Sequence, residues 1–337
     1  MREEYKISLK TAEPLIRSCG LSLSLGVDYT VGVFEEDVLV ATGSLCHDMI
    51  QMLAVSEQHQ GEDLAAVVIT HLIGQARQRG YSGVHLFTKP GKVSMFSPLG
   101  FRQIAIAPPH AALLEWGSPG IADYCATLRR DAGEPKPVTA ALVMNCNPFT
   151  LGHRYLVETA AANADKVVIL VVEEDVSEFP FAHRIELVRQ GTAHLPNVVV
   201  LSGGRYAVSS LTFPSYFTKE DNLAAAQSAI DVDIFVRHTA PALGVTKRFV
   251  GTEPLSPTTA IYNAALLERL PPAGIEVVEL MRREQHGAPV SASRVRKLLS
   301  EGRLPEVQEL VPHTTWAYLN SDIAVPVLER LQRKQTI

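Results

Sequence analysis

The sequence has no phosphate loop of the form G-x-x-x-x-G-K-(S/T), so a bound nucleotide would have to be held in another way. It has no apolar run long enough to span a bilayer, and its first six residues, Met1-Arg-Glu-Glu-Tyr-Lys6, lack the apolar centre of a signal peptide. An excess of positive charge is missing too, because 31 Lys and Arg residues stand against 36 Asp and Glu residues, for a net charge of −5. These absences argue against membrane, secreted and nucleic-acid-binding proteins.

Cysteine is scarce, and its spacing fits neither a disulfide framework nor a metal site. The four cysteines are Cys19, Cys46, Cys125 and Cys146. The eleven histidines include no pair with zinc-ligand spacing. We therefore expect no metal ligands from the protein and a location in the reducing cytoplasm. A hydrophobic fraction of 46% indicates well-filled cores, and 337 residues suffice for two domains.

Strand-like and helix-like segments alternate along the C-terminal two-thirds of the chain. Apolar runs of strand length lie at 138–144, 166–172 and 197–201, and two further segments, 247–251 and 274–280, look like strands. Helical patterns lie between them at 154–163, 183–190 and 258–269. This alternation predicts a doubly wound α/β sheet of the Rossmann-like kind, which binds its ligand at the carboxyl ends of the strands.

The stretch Asn147-Pro-Phe-Thr-Leu-Gly-His153 joins the first of these strands to the first helix. A helix N-terminus attracts anions through its unpaired N–H groups and its dipole; Gly152 permits close approach and His153 adds a donor. Thr150-Leu-Gly-His153 resembles the (H/T)-x-G-H motif of the adenylyltransferase-like superfamily. The resemblance implies that Asn147, Thr150, Gly152 and His153 surround the phosphates of a nucleotide. An ordinary strand–turn–helix unit capped by Thr150 is the alternative.

A second stretch, Val290-Ser-Ala-Ser-Arg-Val-Arg296, resembles the other motif of that superfamily, I-S-x-(S/T)-x-x-R. Ser291 can cap the helix that follows, and Ser293 and Arg296 share one face of its first turns. A guanidinium there can neutralise charge that grows on a leaving pyrophosphate. A capped surface helix with a solvated arginine is the alternative, but two motifs in the expected order favour a nucleotide site.

The chain up to residue 117 follows a different order. It has strand-like segments at 26–34, 38–45, 49–55 and 84–88 around an amphipathic helix at 62–77. This order resembles the α+β Gcn5-related N-acetyltransferase fold. The pyrophosphate turn of that family reads Gln58-His-Gln-Gly-Glu-Asp63 here, with a carboxylate where a small residue is usual, and Phe96 replaces the usual tyrosine acid. We therefore expect a binding role without acetyl transfer to amines.

Residues 131–137 combine two prolines and a glycine with mixed charge, which predicts a domain boundary. We place an N-terminal domain with its linker helix at 1–134 and an adenylyltransferase-like α/β domain at 135–337. This pairing, together with Thr212-Phe-Pro-Ser-Tyr-Phe217 and Arg248-Phe-Val-Gly-Thr-Glu-Pro254, resembles the citrate (pro-3S)-lyase ligase family over nearly the whole chain.

That resemblance implies an enzyme that activates acetate with ATP. Acetate attacks the α-phosphorus, pyrophosphate leaves, and the acetyl-adenylate acetylates the thiol of a prosthetic group on the acyl-carrier subunit of citrate lyase. The resemblance thus implies ATP, with Mg²⁺ carried by its phosphates, and the citrate lyase complex as partner, with neither nucleic acid nor membrane.

The roles implied for single residues follow the chemistry. Thr150, Gly152 and His153 would hold the α- and β-phosphates, and Ser291, Ser293 and Arg296 would hold the leaving pyrophosphate. Arg184, at a helix start, and Glu253, after a strand, are further candidates for nucleotide contact. Two other functions stay open: an adenylyltransferase acting on a phosphorylated coenzyme precursor, and an acetyl-group-binding partner protein without ligase activity.

Overall fold

The computed structural model describes residues 2–24, 26–173, 177–207, 220–252 and 256–333, without the side chains of 2–4 and 220–222. Glu253 and the Thr212–Phe217 segment lie outside the described residues. The strands are β1 (Arg2–Lys6), β2 (Tyr29–Glu35), β3 (Val38–Cys46), β4 (Met49–Val55), β5 (Gly83–Thr88), β6 (Arg102–Ala107), β7 (Ala111–Gly117), β8 (Thr139–Met144), β9 (Lys166–Val171), β10 (Val198–Ser202), β11 (Lys247–Gly251), β12 (Glu276–Leu280), β13 (Glu284–Gln285) and β14 (Ala288–Pro289).

The helices are α1 (Leu9–Ser18), α2 (Leu64–Gln78), α3 (Ile121–Ala132), α4 (Leu151–Ala162), α5 (Phe181–Thr192), α6 (Glu220–Ile234), α7 (Ala240–Leu243), α8 (Pro257–Arg269), α9 (Ala292–Ser300), α10 (Leu304–Val307), α11 (His313–Leu319) and α12 (Val325–Arg333). A π-helical segment, Phe235–Thr239, connects α6 to α7.

The chain forms two compact units, 1–124 with 210–234 and 125–209 with 235–337. Helix α6 belongs to the first unit because it packs on β6 and β7. The domain boundary at residues 134/135 stays a prediction.

The first unit is built on a mixed sheet with the strand order β1-β2-β3-β4-β5-β7-β6. Neighbouring strands are antiparallel except β4 and β5, which are parallel and pair only at Met49↔His85 and Ile50↔Leu86. The two strands therefore separate after their first residues. Helices α1 and α2 both pack on β3 and β4. This arrangement confirms the α+β class predicted for the N-terminal part.

The second unit is built on a parallel sheet with the strand order β10-β9-β8-β11-β12. Strand β8 comes first in the chain and lies in the middle, so the order reverses between β8 and β11. Every residue of β9 is buried, as expected for a strand covered on both faces. Val157 and Ala160 of α4 and Val188 of α5 belong to the same buried core cluster as Leu142 of β8. The doubly wound prediction is confirmed, and its reversal point marks the expected ligand crevice.

Candidate active site

Helix α4 begins at this reversal point with a reciprocal cap between Thr150 and His153. The Oγ1 atom of Thr150 accepts a hydrogen bond from the His153 N–H at 3.3 Å, and the Thr150 N–H donates to His153 Nδ1 at 3.1 Å. An Nδ1 atom that accepts a backbone N–H carries no proton. The neutral imidazole therefore has its proton on Nε2, where it can serve as a donor.

The surroundings of His153 keep this imidazole neutral. Burial, and after it the positive charges of Arg282 and Arg296, lower the pKa of His153 to about 4. Near pH 7 the side chain is thus an uncharged N–H donor beside two guanidinium groups. Such a site can hold polyphosphate oxygens without losing a proton to them.

Gly152 brings the two sequence motifs into backbone contact. A Cβ atom at this position would lie 2.5 Å from the carbonyl oxygen of Val290, just before α9. The space beside the Gly152 Cα atom, where close approach of a ligand was expected, is therefore occupied by the backbone of Val290. Gly152 still lines the cleft, but its missing side chain serves to join the starts of α4 and α9.

The second motif begins α9 and reaches back to the first. Ser291 caps the helix, accepting a hydrogen bond from the Arg294 N–H at 3.1 Å. Arg296 donates from Nη1 to the Asn147 carbonyl at 2.6 Å and from Nη2 to Ser293 Oγ at 3.3 Å. The structure therefore brings Arg296, Ser293 and Asn147 together.

Glu178 completes this contact and was not identified from the sequence. Its Oε2 atom accepts a hydrogen bond from Asn147 Nδ2 at 2.9 Å and lies 3.5 Å from Arg296 Nε. The Phe179 N–H donates to Asn147 Oδ1 at 3.0 Å. Both polar atoms of the Asn147 side chain therefore bond within the protein and position the turn. No sequence pattern links residue 178 to residue 296, because their contact depends on the tertiary fold.

The structure does not bring Arg184 into the cleft, which corrects its assignment to nucleotide contact. Its side chain is fully buried and donates to the carbonyls of Phe179, Asn145 and Val172 at 3.0, 2.6 and 2.9 Å. A fourth acceptor, the side-chain oxygen Oδ1 of Asn145, lies 2.7 Å from Nη1. Arg184 therefore fixes the loops that follow β8 and β9.

The cleft itself has a volume of about 460 Å³ at the carboxyl edge of the sheet. Besides the two motifs, it is lined by the ends of β11 and β12 and by α8, through Gly251, Thr259, Asn263, Arg282 and Arg283. Arg282 donates from Nε to the Thr252 carbonyl at 2.6 Å. The signal for Arg282 and Arg283 was available in the sequence, because this pair of arginines comes one residue after the end of strand β12, at the carboxyl edge of the sheet.

The described residues that line this cleft include no activated nucleophile. Cys146, the thiol beside the turn, is 1% exposed, and burial raises its pKa. Among the described residues no group of three His, Cys, Asp or Glu side chains could hold a metal ion. None of the described helices is long and apolar enough to cross a membrane. The geometry suits charge neutralisation and positioning of a bound anion.

Comparison with known proteins gives consistent relatives. The family described as "Citrate lyase ligase C-terminal domain" matches residues 139–319. A [Citrate [pro-3S]-lyase] ligase from Klebsiella pneumoniae is 40% identical over 304 residues, which cover 88% of this chain and 89% of that protein. The protein of that name from Escherichia coli (strain K12) is 39% identical over 309 residues, covering 88% and 87%.

Two partial matches concern one domain each. A phosphopantetheine adenylyltransferase from Corynebacterium glutamicum (strain R) is 29% identical over 110 residues, covering 32% of this chain and 64% of that protein. Among solved structures, an IAA acetyltransferase from Bacillus cereus ATCC 14579 is 14% identical with a TM-score of 0.31, covering 35% of this chain and 99% of that one.

Proposed function

We propose that this chain, which belongs to the citrate lyase ligase family, activates acetate with ATP. It transfers the acetyl group to the thiol of a prosthetic group on the acyl-carrier subunit of citrate lyase. That transfer converts the lyase to its acetylated, active form.

The observation that carries the first step is the joined pair of helix starts at α4 and α9. Neutral His153 supplies an N–H donor, and Arg296 and Arg282 supply positive charge within one cleft. This set fits the phosphates of ATP, because charge-assisted donors and helix N-termini both favour phosphate oxygens. Mg²⁺ would enter on the phosphates of ATP, since the described residues offer no group of carboxylates for it.

In the adenylation step a carboxylate oxygen of acetate forms a bond to the α-phosphorus, and the bond from that phosphorus to the pyrophosphate oxygen breaks. His153 and Arg296 stabilise the charge that develops on the phosphate oxygens and on the leaving group. The carrier thiol then loses its proton and attacks the acetyl carbon, which releases AMP. No covalent intermediate on the protein is needed.

Isotope exchange between pyrophosphate and ATP tests this proposal. The purified chain should catalyse exchange only when acetate is present, because pyrophosphate can return to ATP only from acetyl-adenylate. The control replaces acetate with 4′-phosphopantetheine, the substrate expected of a simple adenylyltransferase. Exchange that requires phosphopantetheine and ignores acetate would establish the adenylyltransferase alternative. Absence of exchange with both compounds would favour a binding protein without ligase activity.

A further inference from the structure

Two arginine side chains are the largest fully buried side chains in the described chain, and their surroundings differ. Arg184 is 0% exposed and donates to backbone carbonyls on three sides. Arg248 is 1% exposed, yet its Nε and Nη1 atoms are buried and find no hydrogen-bond partner within the described part of the chain. A buried cation without acceptors is costly, so such groups are normally paired.

The position of Arg248 connects it to the candidate active site. It lies on β11, between Ala141 of β8 and Val277 of β12, and it lines the same cleft. Phe249 points to the opposite face of the sheet, into the core with α4. The ring of Phe235 lies against the Arg248 cation, with 5.1 Å between the guanidinium carbon and the ring centroid. A ring face attracts a cation but satisfies none of its N–H groups as an oxygen would.

Two other cleft cations, Arg296 and Arg282, already donate to backbone carbonyls. Arg296 donates to the Asn147 carbonyl, and Arg282 donates to the Thr252 carbonyl. Arg248 instead projects from the sheet, and its side chain is almost fully enclosed at the cleft. Its missing acceptors and its depth both suit a short carboxylate.

We propose that Arg248 binds the carboxylate of the acid substrate, a short-chain monocarboxylate; this inference rests on the proposed function. One carboxylate oxygen stays on the guanidinium while the other forms the bond to the α-phosphorus and pyrophosphate departs. The acid loses its negative charge in that step, which weakens its hold on Arg248 before acetyl transfer. Arg248 thereby selects for the charged acid and orients it.

Arg248→Met is the principal test, because methionine fills a similar volume without donors or charge. The variant should fold with a melting temperature at or above that of the wild type, since it removes a buried charge without acceptors. The Michaelis constant for acetate in pyrophosphate exchange should rise by roughly 10- to 100-fold, the loss expected for a hydrogen bond to a charged group. The Kd for ATP, measured by calorimetry without acetate, should change less than about threefold.

Arg184→Met is the matched control for removing a buried arginine. The substitution removes the donor from three backbone carbonyls, so the melting temperature of Arg184→Met should fall steeply. The melting temperature of Arg248→Met should stay at or above that of the wild type. An unchanged Michaelis constant for acetate in Arg248→Met would overturn the proposal. Equal weakening of ATP and acetate would also overturn it, because Arg248 would then belong to the phosphate site. Should Arg248→Met fail to fold, Arg248→Lys must still raise the acetate constant with ATP affinity unchanged, or the proposal fails.

A binding readout separates this inference from the proposed function. Sodium acetate, compared with sodium chloride at equal ionic strength, should raise the melting temperature of the wild type and not that of Arg248→Met. A shift in both proteins or in neither would overturn the carboxylate site. A shift confined to the wild type, without any acetate-dependent exchange, would support the carboxylate site and reject the proposed function alone.

Discussion

At the scale of single residues, the protonation state of His153 decides what the candidate site can do. A histidine at this position could be a cation that pairs with phosphate or a neutral donor. The bond from the Thr150 N–H to Nδ1 and the pKa of about 4 establish the neutral form with its proton on Nε2. The positive charge of the cleft comes from arginines, which do not lose it at any working pH.

The depressed pKa of His153 predicts how stability depends on pH. The unfolded chain binds a proton at this histidine below about pH 6.5, whereas the folded chain does so only near pH 4. The unfolded state therefore holds more protons between these values, and the contribution of His153 to stability is complete above pH 6.5 and is lost as the pH falls toward 4. His153→Gln, which cannot titrate, should lack this loss.

The measurement is urea unfolding of the wild type and His153→Gln at pH 7 and pH 5. The free energy of unfolding of the wild type should fall more than that of the variant, by up to about 1.4 kcal/mol for each pH unit crossed below 6.5. Equal pH dependence in the two proteins would mean that His153 titrates normally. Acetate-dependent exchange by the variant should be roughly 10²- to 10³-fold slower at pH 7, as for loss of one donor to developing charge.

At the scale of elements, the apolar runs predicted most of the C-terminal sheet. Strand β11 begins and ends as predicted, and β8, β9, β10 and β12 differ from prediction by one or two residues at their ends. Strand β9 is buried at every residue, and its sequence is accordingly a continuous apolar run after Lys166, which made it easy to recognise. Helix α4 begins at Leu151, three residues before the predicted start, because the Thr150 cap extends it through the motif.

The helix and the residue roles that the sequence did not predict depend on contacts between residues far apart in the chain. Helix α1 carries an internal proline, Pro14, which argues against a helix when the sequence is read alone. The role of Arg184 could not be predicted, since a helix-start arginine looks the same whether it meets phosphate or buried carbonyls. Glu178 became recognisable only when the fold placed it between Asn147 and Arg296.

The close contact of α4 and α9 predicts that Gly152→Ala damages stability and activity together. The added Cβ would lie 2.5 Å from the Val290 carbonyl, and this backbone atom cannot swing away as a side chain could. We expect a loss of roughly 1–3 kcal/mol in the free energy of unfolding from overpacking. Exchange should fall as the two motifs separate.

Gly74→Ala is the control for the Gly152 substitution. Gly74 lies inside α2 with nothing within 4 Å of an added Cβ, so alanine there should stabilise the protein by up to about 1 kcal/mol. Chemical unfolding of both variants, followed by circular dichroism, measures the contrast. Wild-type stability in Gly152→Ala would show that the two helix starts yield easily and that their contact does not hold the site together.

At the scale of the whole molecule, the chain combines two units with different sheets. The first unit contains the divergent β4–β5 pair and the helix start of α2, and we expect it not to transfer acetyl groups to amines. Phe96 is 8% exposed and packs edge-on against Phe101, with ring centroids 6.1 Å apart, so this position supplies no acid.

Because α6 packs on β6 and β7, cutting the chain at residue 134 would leave that helix without its partners. Point variants in the full chain are the sounder test.

Asp63 offers such a variant, because it precedes α2 with a φ of 56° and its side chain makes no cap hydrogen bond. We expect the first unit to receive an anionic part of the carrier's prosthetic group at this helix start, where the Asp63 carboxylate repels it. Asn also tolerates the left-handed conformation, so Asp63→Asn removes the charge with little change of shape.

The Michaelis constant for the carrier should fall roughly two- to fivefold at low salt, the effect of one exposed charge at a helix end, while acetate-dependent exchange stays unchanged. The difference should shrink at 0.5 M NaCl, because salt screens exposed charges. An unchanged constant at low salt would place the prosthetic group away from α2, and an altered exchange rate would mean that the two units do not divide adenylation from carrier recognition.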